Sequence, residues 1–455
     1  MNETRKLAAF SAGLRFKDLP EEAVRKAKLC LLDYVANVYG SLALDAVTSV
    51  ASLIRSLGEA GKVTAIASGF KTSLPMAAYW NGITAEAIEA QDGLRFGGNH
   101  ACSAVIPAVL AFGESRGLGG KEILEAVVVG YEVANRISAS VHPLHTLSGF
   151  LPTGTCGTFG AAAAAAKLMG LDAGGVLHAL GNAGYVAPLS MAEQLMEGCT
   201  VKIVQGGQAA MSGIMATCLA GAGITGDPRV IEGSDLKGGF AQITLRGDAK
   251  PERITDGLGE QYTILDVYFK PYTACRHTHG AAQATLDLVR KGPIPPGDID
   301  AIEVFTYNMA VVATGKGRTA ADSFVTAQFS IPHVVAACLL DREMGPAQLT
   351  ERRIAEASLI ELSKKVTVKP DEAFNKVYPD KTSSRVEITL KDGEKRISQV
   401  DIPKGDPRDP MSVEDIHHKV VRFAGNRDPK RIARLVDIVR DMEAIGDIKE
   451  FVEAI

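Results

Sequence analysis

The chain of 455 residues is 46% hydrophobic and 22% charged, which supplies a large core and excludes a disordered polymer. A formal net charge of -4 gives no support for nucleic-acid binding, which normally shows a basic patch, but leaves room for a small anionic substrate held by local cations. Seven cysteines, scattered, odd in number and never spaced as CxxC, argue against a disulfide framework or a structural zinc site.

The opening MNETRKLAAFSAGLRF has charge but no apolar stretch of the signal-peptide kind. No apolar run reaches the roughly 18 residues that span a bilayer. A reduced, cytoplasmic protein without a membrane partner is the expectation, and its length predicts two or three lobes.

Residues 1–267 read as helices joined by glycine turns, with no signal for strands. In LPEEAVRKAKLCLLDYVANVYGSL, Pro20 and two glutamates mark the start, and Val24, Ala27, Leu31 and Val35 recur at helical spacing before Gly40. GKEILEAVVVGYEVANRISASV behaves alike. GTFGAAAAAAKLMGLD and GGQAAMSGIMATCLAGAGITG carry small residues on every face, as central buried helices do. Near residue 268 the character changes. DIDAIEVFTYNMAV alternates like a strand around Ile302, Val304 and Phe305, and SSRVEITLKDGEKRISQVDIPKG reads as a hairpin turning at Lys391-Asp392-Gly393. A helix after Pro332 lies between them. The fold class predicted is mainly α with a smaller α+β domain: a large all-helical domain over 1–267, an α+β lid over 268–404, and C-terminal helices over 405–455 packing back on the first.

Four stretches carry candidate chemistry. AEAIEAQDGLRFGGNHACSAV places Asp92, Arg95 and His100 in a glycine-bearing loop between helical runs; an Asp near a His can orient it or raise its basicity, and the plain alternative is a turn with a capping aspartate. GFLPTGTCGTFG sets glycines and threonines ahead of a long helix, an anion-friendly end, but it is neither a Walker A loop nor GxGxxG after a strand. Cys156 there is a nucleophile or a buried small residue. Lys202 precedes a small-residue helix and either snorkels to solvent or faces a pocket. YFKPYTACRHTHG packs Lys270, Cys275, Arg276, His277 and His279 into thirteen residues. His279 reads as a proton-transfer group, with Lys270 and Arg276 as carboxylate binders. An exposed polar loop is the competing reading, and the Cys-x-His-x-His triplet lacks a fourth ligand for a closed zinc site.

Six segments in order, DG…NHACSAVIPAVLAFGE, GFLPTGTCGTFGAAAAAAKLMGLD, VKIVQGGQAAMSGIMATCLA, YFKPYTACRHTHGAAQA, AQFSIPHVVAACLL and DIPKGDPRDPMS, resemble the MmgE/PrpD family over nearly the whole chain. Its members include 2-methylcitrate dehydratase, cis-aconitate decarboxylase and iminodisuccinate epimerase. The resemblance implies an enzyme without cofactor or metal, usually a homodimer, with its active site between a helical body and an α+β lid. By similarity Asp92 and His100 fall on the family's acidic-and-histidine loop, Lys202 on its helix lysine, and Lys270, Cys275 and His279 on the lid segment. The chain departs from the usual pattern at Gln91-Asp92-Gly93, Ala101-Cys102, Leu151, Gln205 and His333.

The shared step of that family is a carbanion alpha to a carboxylate, which needs positive charge in a dry site. The expected catalytic set is Asp92, His100, Lys202 and His279, with Lys270, Cys275, Arg276, Arg95 and His333 binding a small di- or tricarboxylate. The expected activity is a hydro-lyase on a methylcitrate-like acid. An epimerase, a decarboxylase or a non-catalytic carboxylate binder are the alternatives.

Overall fold

A computed structural model describes residues 2–57, 60–319 and 322–455. The body is built on long helices: α1 (Glu21–Ser41), α2 (Leu74–Glu86), α3 (Ala101–Arg116), α4 (Gly120–Val141), α5 (Pro152–Met169) and α6 (Gln205–Gly221). Helix α5 packs against α3, α4 and α6, and α6 also packs against α2. Small residues set these distances. A Cβ on Gly82 of α2 would stand 2.5 Å from the Cα of Gly207 in α6, and one on Gly207 would stand 2.2 Å from the Tyr79 carbonyl oxygen. The two backbones therefore touch, which lays the C-terminal end of α2 beside the N-terminal end of α6. No single described helix is long and apolar enough to cross a membrane.

The second part holds a four-stranded sheet in the order β6-β5-β7-β8, where β5 is Ile299–Thr306, β6 Val366–Pro370, β7 Ser384–Leu390 and β8 Lys395–Val400. β5 pairs parallel with β6 and antiparallel with β7, and β7 pairs antiparallel with β8. The expected turn is present, with Gly393 at φ +89°, a conformation only glycine adopts without strain. Helix α7 (His279–Lys291) covers β7 and β8, and α8 (Ile331–Asp341) packs on α7. Helix α9 (Val413–Ala424) lies on α1 of the body. The protein is thus mainly helical with a smaller α+β part.

Two details differ from the expectation. The body holds short strands, a hairpin of β1 (Val63–Ala65) and β2 (Phe70–Thr72) and a two-residue β3 (Gly93–Leu94). Segments of two or three residues are too short for alternation to show in a sequence. The Gly/Thr run 153–158 lies inside α5, which already starts at Pro152, so it forms the first turns of the helix instead of a loop ahead of it.

Candidate active site

β3 pairs antiparallel with β4 (Val267–Tyr268), Gly93 opposite Tyr268 and Leu94 opposite Val267. This short ladder joins the loop after α2 to the segment carrying Lys270. Gly93 makes it possible: a Cβ there would lie 2.5 Å from the Tyr268 hydroxyl and 2.8 Å from His100 Nδ1.

The result is a buried charge network that the sequence reading only half contains. Lys270 Nζ donates to Glu89 Oε1 at 2.6 Å. Lys202, in a 3-10 turn (Thr200–Val204) leading into α6, pairs with the other Glu89 oxygen and lies 2.9 Å from Glu86 Oε1. Glu86, the last residue of α2, also accepts from Gln205 Nε2 at 2.7 Å and Ser103 Oγ at 2.6 Å. Lys270 and Glu86 are fully buried, and Lys202 and Glu89 nearly so. Glu89 takes a left-handed φ of +54°, a conformation that costs about 1–3 kcal/mol in a non-glycine residue and persists where the surroundings enforce it. Here two ammonium groups grip the side chain. Burial alone would raise the Glu89 pKa, but Lys202, Lys270 and His100 overcome it and hold the carboxyl well below the usual range. Burial alone would lower Lys202, but Glu86 and Glu89 overcome it and fix its proton more firmly than in water.

Beside this network sit Asp92 and His100. The Asp92 carboxylate accepts from Tyr131 OH at 2.6 Å and from the Cys102 amide at 3.2 Å. Burial pushes its pKa up to about 6, against the pull of those two donors. His100 Nδ1 is 2.6 Å from the Asp92 carbonyl oxygen. A carbonyl only accepts, so Nδ1 carries the hydrogen and Nε2 keeps the lone pair. Burial, aided by Lys270, lowers the His100 pKa to about 4, so the ring is neutral near pH 7. Gln91, in the same loop, is buried and has neither amide atom hydrogen-bonded, the kind of group that a ligand or a water completes.

The structure thus brings Asp92, His100, Lys202 and Lys270 together. Cys275 lies in the same electrostatic neighbourhood, feeling Glu89, Lys270 and Lys202, and burial raises its thiol to about 11, so it stays protonated. Of the remaining predicted residues, three turn polar atoms to backbone carbonyls. Arg276 donates to the carbonyls of Lys404 (2.8 Å) and Pro403 (2.7 Å). His279 places Nε2 at 3.0 Å from the Ala274 carbonyl, and burial plus Arg276 push its pKa well down. Arg95 holds the carbonyls of Pro379 and Asp380. His333 is fully buried with both ring nitrogens unpaired; burial, then Arg318, lowers its pKa to about 3. Three of these four are thus tethered to backbone carbonyls, and the His333 ring is buried without a partner. The alternating Cys275, His277 and His279 do not act as one set, since His277 turns to Tyr307 OH at 2.6 Å.

Glu86 and Glu89 escaped the sequence reading. Two glutamates three residues apart, in a stretch otherwise alanine and isoleucine, were the signal: a carboxylate in such a run is buried only if paired.

A helical body is thus joined to an α+β part, with lysines, carboxylates and a neutral histidine buried together. The MmgE/PrpD N-terminal domain matches residues 5–252 and the MmgE/PrpD C-terminal domain residues 272–443; the chain belongs to the MmgE/PrpD family. It is similar to the cis-aconitate decarboxylase of Aspergillus terreus, 26% identical over 99% of this chain and 95% of that one. It is also similar to the cis-aconitate decarboxylase-like protein oryM of Aspergillus oryzae, 27% identical over 100% and 97%. The cis-aconitate decarboxylase of Mus musculus is 27% identical over 98% of this chain and 91% of its own.

Proposed function

We propose that this MmgE/PrpD lyase decarboxylates a small polycarboxylate of the cis-aconitate type. The observation that carries the proposal is the Lys202–Glu89–Lys270 bridge, in which one carboxylate is gripped from both sides by buried ammonium groups. The full-length relatives with a decarboxylase's name support this outcome over the dehydration expected first from the family resemblance.

The charge balance differs from the simple cationic crevice that a carbanion site suggests. Lys202 and Lys270 face Glu86 and Glu89, so two positive groups meet two negative ones. A substrate carboxylate therefore competes with Glu89 for the ammonium groups, and Glu89 stands in the unliganded protein for the carboxylate it yields to. When the C–C bond to the departing carboxylate breaks, carbon dioxide leaves and the electron pair spreads into a conjugated carboxylate. The two lysines, shielded from water, stabilise that charge; one such preorganised donor is worth about 10²–10³ in rate. A proton then closes the carbanion. Asp92, with its pKa near 6, holds one in the acidic half of the physiological range, and His100 Nε2 relays or receives it.

Proton NMR in deuterated water with methylcitrate, citrate, cis-aconitate and iminodisuccinate tests the proposal. Carbon dioxide release from cis-aconitate with deuterium in the product is the expected result. Water loss from methylcitrate with cis-aconitate untouched would restore the dehydratase reading.

A further inference from the structure

Helix α9, which follows the α+β part, presents Ile416, Lys419, Val420 and Phe423 as its buried face. A lysine in that apolar company needs a reason. Lys419 is 2% exposed, and its Nζ donates at 2.6 Å to Asp33 Oδ1 of α1 and at 2.6 Å to the carbonyl oxygen of Ala90. Asp33 is fully buried too, and its second oxygen accepts from Asn37 Nδ2 at 3.1 Å. Ala90 follows Glu89 directly and stands two residues before Asp92.

We infer that Lys419 is a positioning residue, which clamps the Ala90 carbonyl so that Glu89 keeps its left-handed turn and presents its carboxylate to Lys202 and Lys270. The inference rests on reading the Glu89 network as the reaction site. Lys202 and Lys270 hold the Glu89 side chain, but a side chain gripped at its tip leaves the backbone free to relax from a strained φ. A charged donor on the next carbonyl removes that freedom, because rotating the peptide would leave the carbonyl buried without a partner and the ammonium with Asp33 alone. Asp33 keeps the ammonium charged and aimed. Two further bonds immobilise the same loop from its other side: Gln328 Nε2 donates to the Ala87 carbonyl at 2.7 Å, and the Cys102 amide holds Asp92. Of these clamps, Lys419 alone comes from the C-terminal segment, so it ties the position of α9 to the geometry of the reacting groups.

The test compares wild type, Asp33→Asn and the double variant Asp33→Asn/Lys419→Met. The double variant removes both members of the ion pair, which avoids stranding a buried charge; should it not fold, Lys419→Gln, one bond shorter than the ammonium's reach, takes its place. Hydrogen exchange read by mass spectrometry is the primary measurement. The inference expects peptides over residues 86–94 to exchange at least about tenfold faster in the double variant, while those of α1 and α9 keep their rates and Asp33→Asn, which keeps the donor but loosens its aim, falls between wild type and the double variant. Unchanged exchange over 86–94, or acceleration spread evenly through the protein, overturns it. Turnover of cis-aconitate is the second readout, expected to fall about tenfold in kcat with KM within twofold, since Lys419 touches no substrate. A wild type inert toward cis-aconitate would sink the substrate reading and leave the exchange result to decide this one.

Discussion

Two buried lysines flank the loop that bears Glu89 and Asp92, and their environments push them in opposite directions. Lys202 faces two carboxylates, which outweigh burial and raise its pKa. Lys419 faces the single carboxylate of Asp33, burial wins, and its pKa is lowered; burial likewise raises Asp33. The number of counter-charges decides the outcome: one carboxylate roughly repays the desolvation of one ammonium, and a second fixes it as a permanent cation. The difference separates a group suited to holding an anion from one suited to bracing a backbone.

Breaking the first lysine should have the largest effect. Lys202→Met strips Glu86 of its cation and Glu89 of one of two, leaving uncompensated charge in the interior. A loss of about 3–5 kcal/mol is expected, with turnover down about 10²–10³-fold. Lys419→Met strands only Asp33, whose pKa burial already raises, so about 1–3 kcal/mol is expected. Urea denaturation at pH 7 checks both; equal losses would erase the distinction.

A second, intermediate effect is read from pH. The folded pKa of His100 lies near 4, below its ordinary 6.5, so its contribution to stability is complete above pH 6.5 and is lost as pH falls toward 4. Asp92 is the reverse. Its folded pKa near 6 exceeds the ordinary 3.8, so its contribution is complete below about pH 3.8 and is lost as pH rises to 6. Between pH 4 and 6 the two slopes oppose. His100→Gln should make stability fall more, or climb less, with rising pH than in wild type, and Asp92→Asn should make it climb more. Each difference is on the order of 2–3 kcal/mol across the window. Parallel curves for both variants in thermal melts would contradict the assignments. The smallest effect belongs to the surface. The Lys364–Glu361 pair, at 2.6 Å with side chains 62% and 69% exposed, should change stability by less than about 0.5 kcal/mol on Lys364→Ala, setting the scale against which the buried lysines are judged.

Much of this architecture is legible in the sequence because its signals are local. The long helices announce themselves through periodicity and small residues, the β7–β8 hairpin through its Asp392-Gly393 turn, and the site loop through Asp92 and His100 beside glycines. Lys202 and Lys270 stand out as lone cations near apolar or aromatic runs. What fails to show is whatever depends on distant pairing. The two-residue ladder that sets Gly93 opposite Tyr268 has no periodicity to detect. Glu86 and Glu89 become partners of Lys202 and Lys270 only when segments over 100 residues apart meet. Arg95 and Arg276 look like substrate binders because they are cations in loops, and only the fold reveals the backbone carbonyls to which they donate. His279 invites the same reading, being close to Lys270 in sequence while one ring nitrogen is tied to Ala274.

The central claim is that the lysine pair around Glu89 receives the substrate carboxylate and stabilises the charge left by decarboxylation. A proton-NMR time course of cis-aconitate in deuterated water, run on wild type and on folded Lys202→Met at equal concentration, tests it most directly. Conversion by wild type to a deuterium-bearing product one carboxyl shorter, slowed at least about a hundredfold in the variant, is the predicted result. Equal rates in the two proteins, or a wild type that leaves cis-aconitate intact, would contradict it.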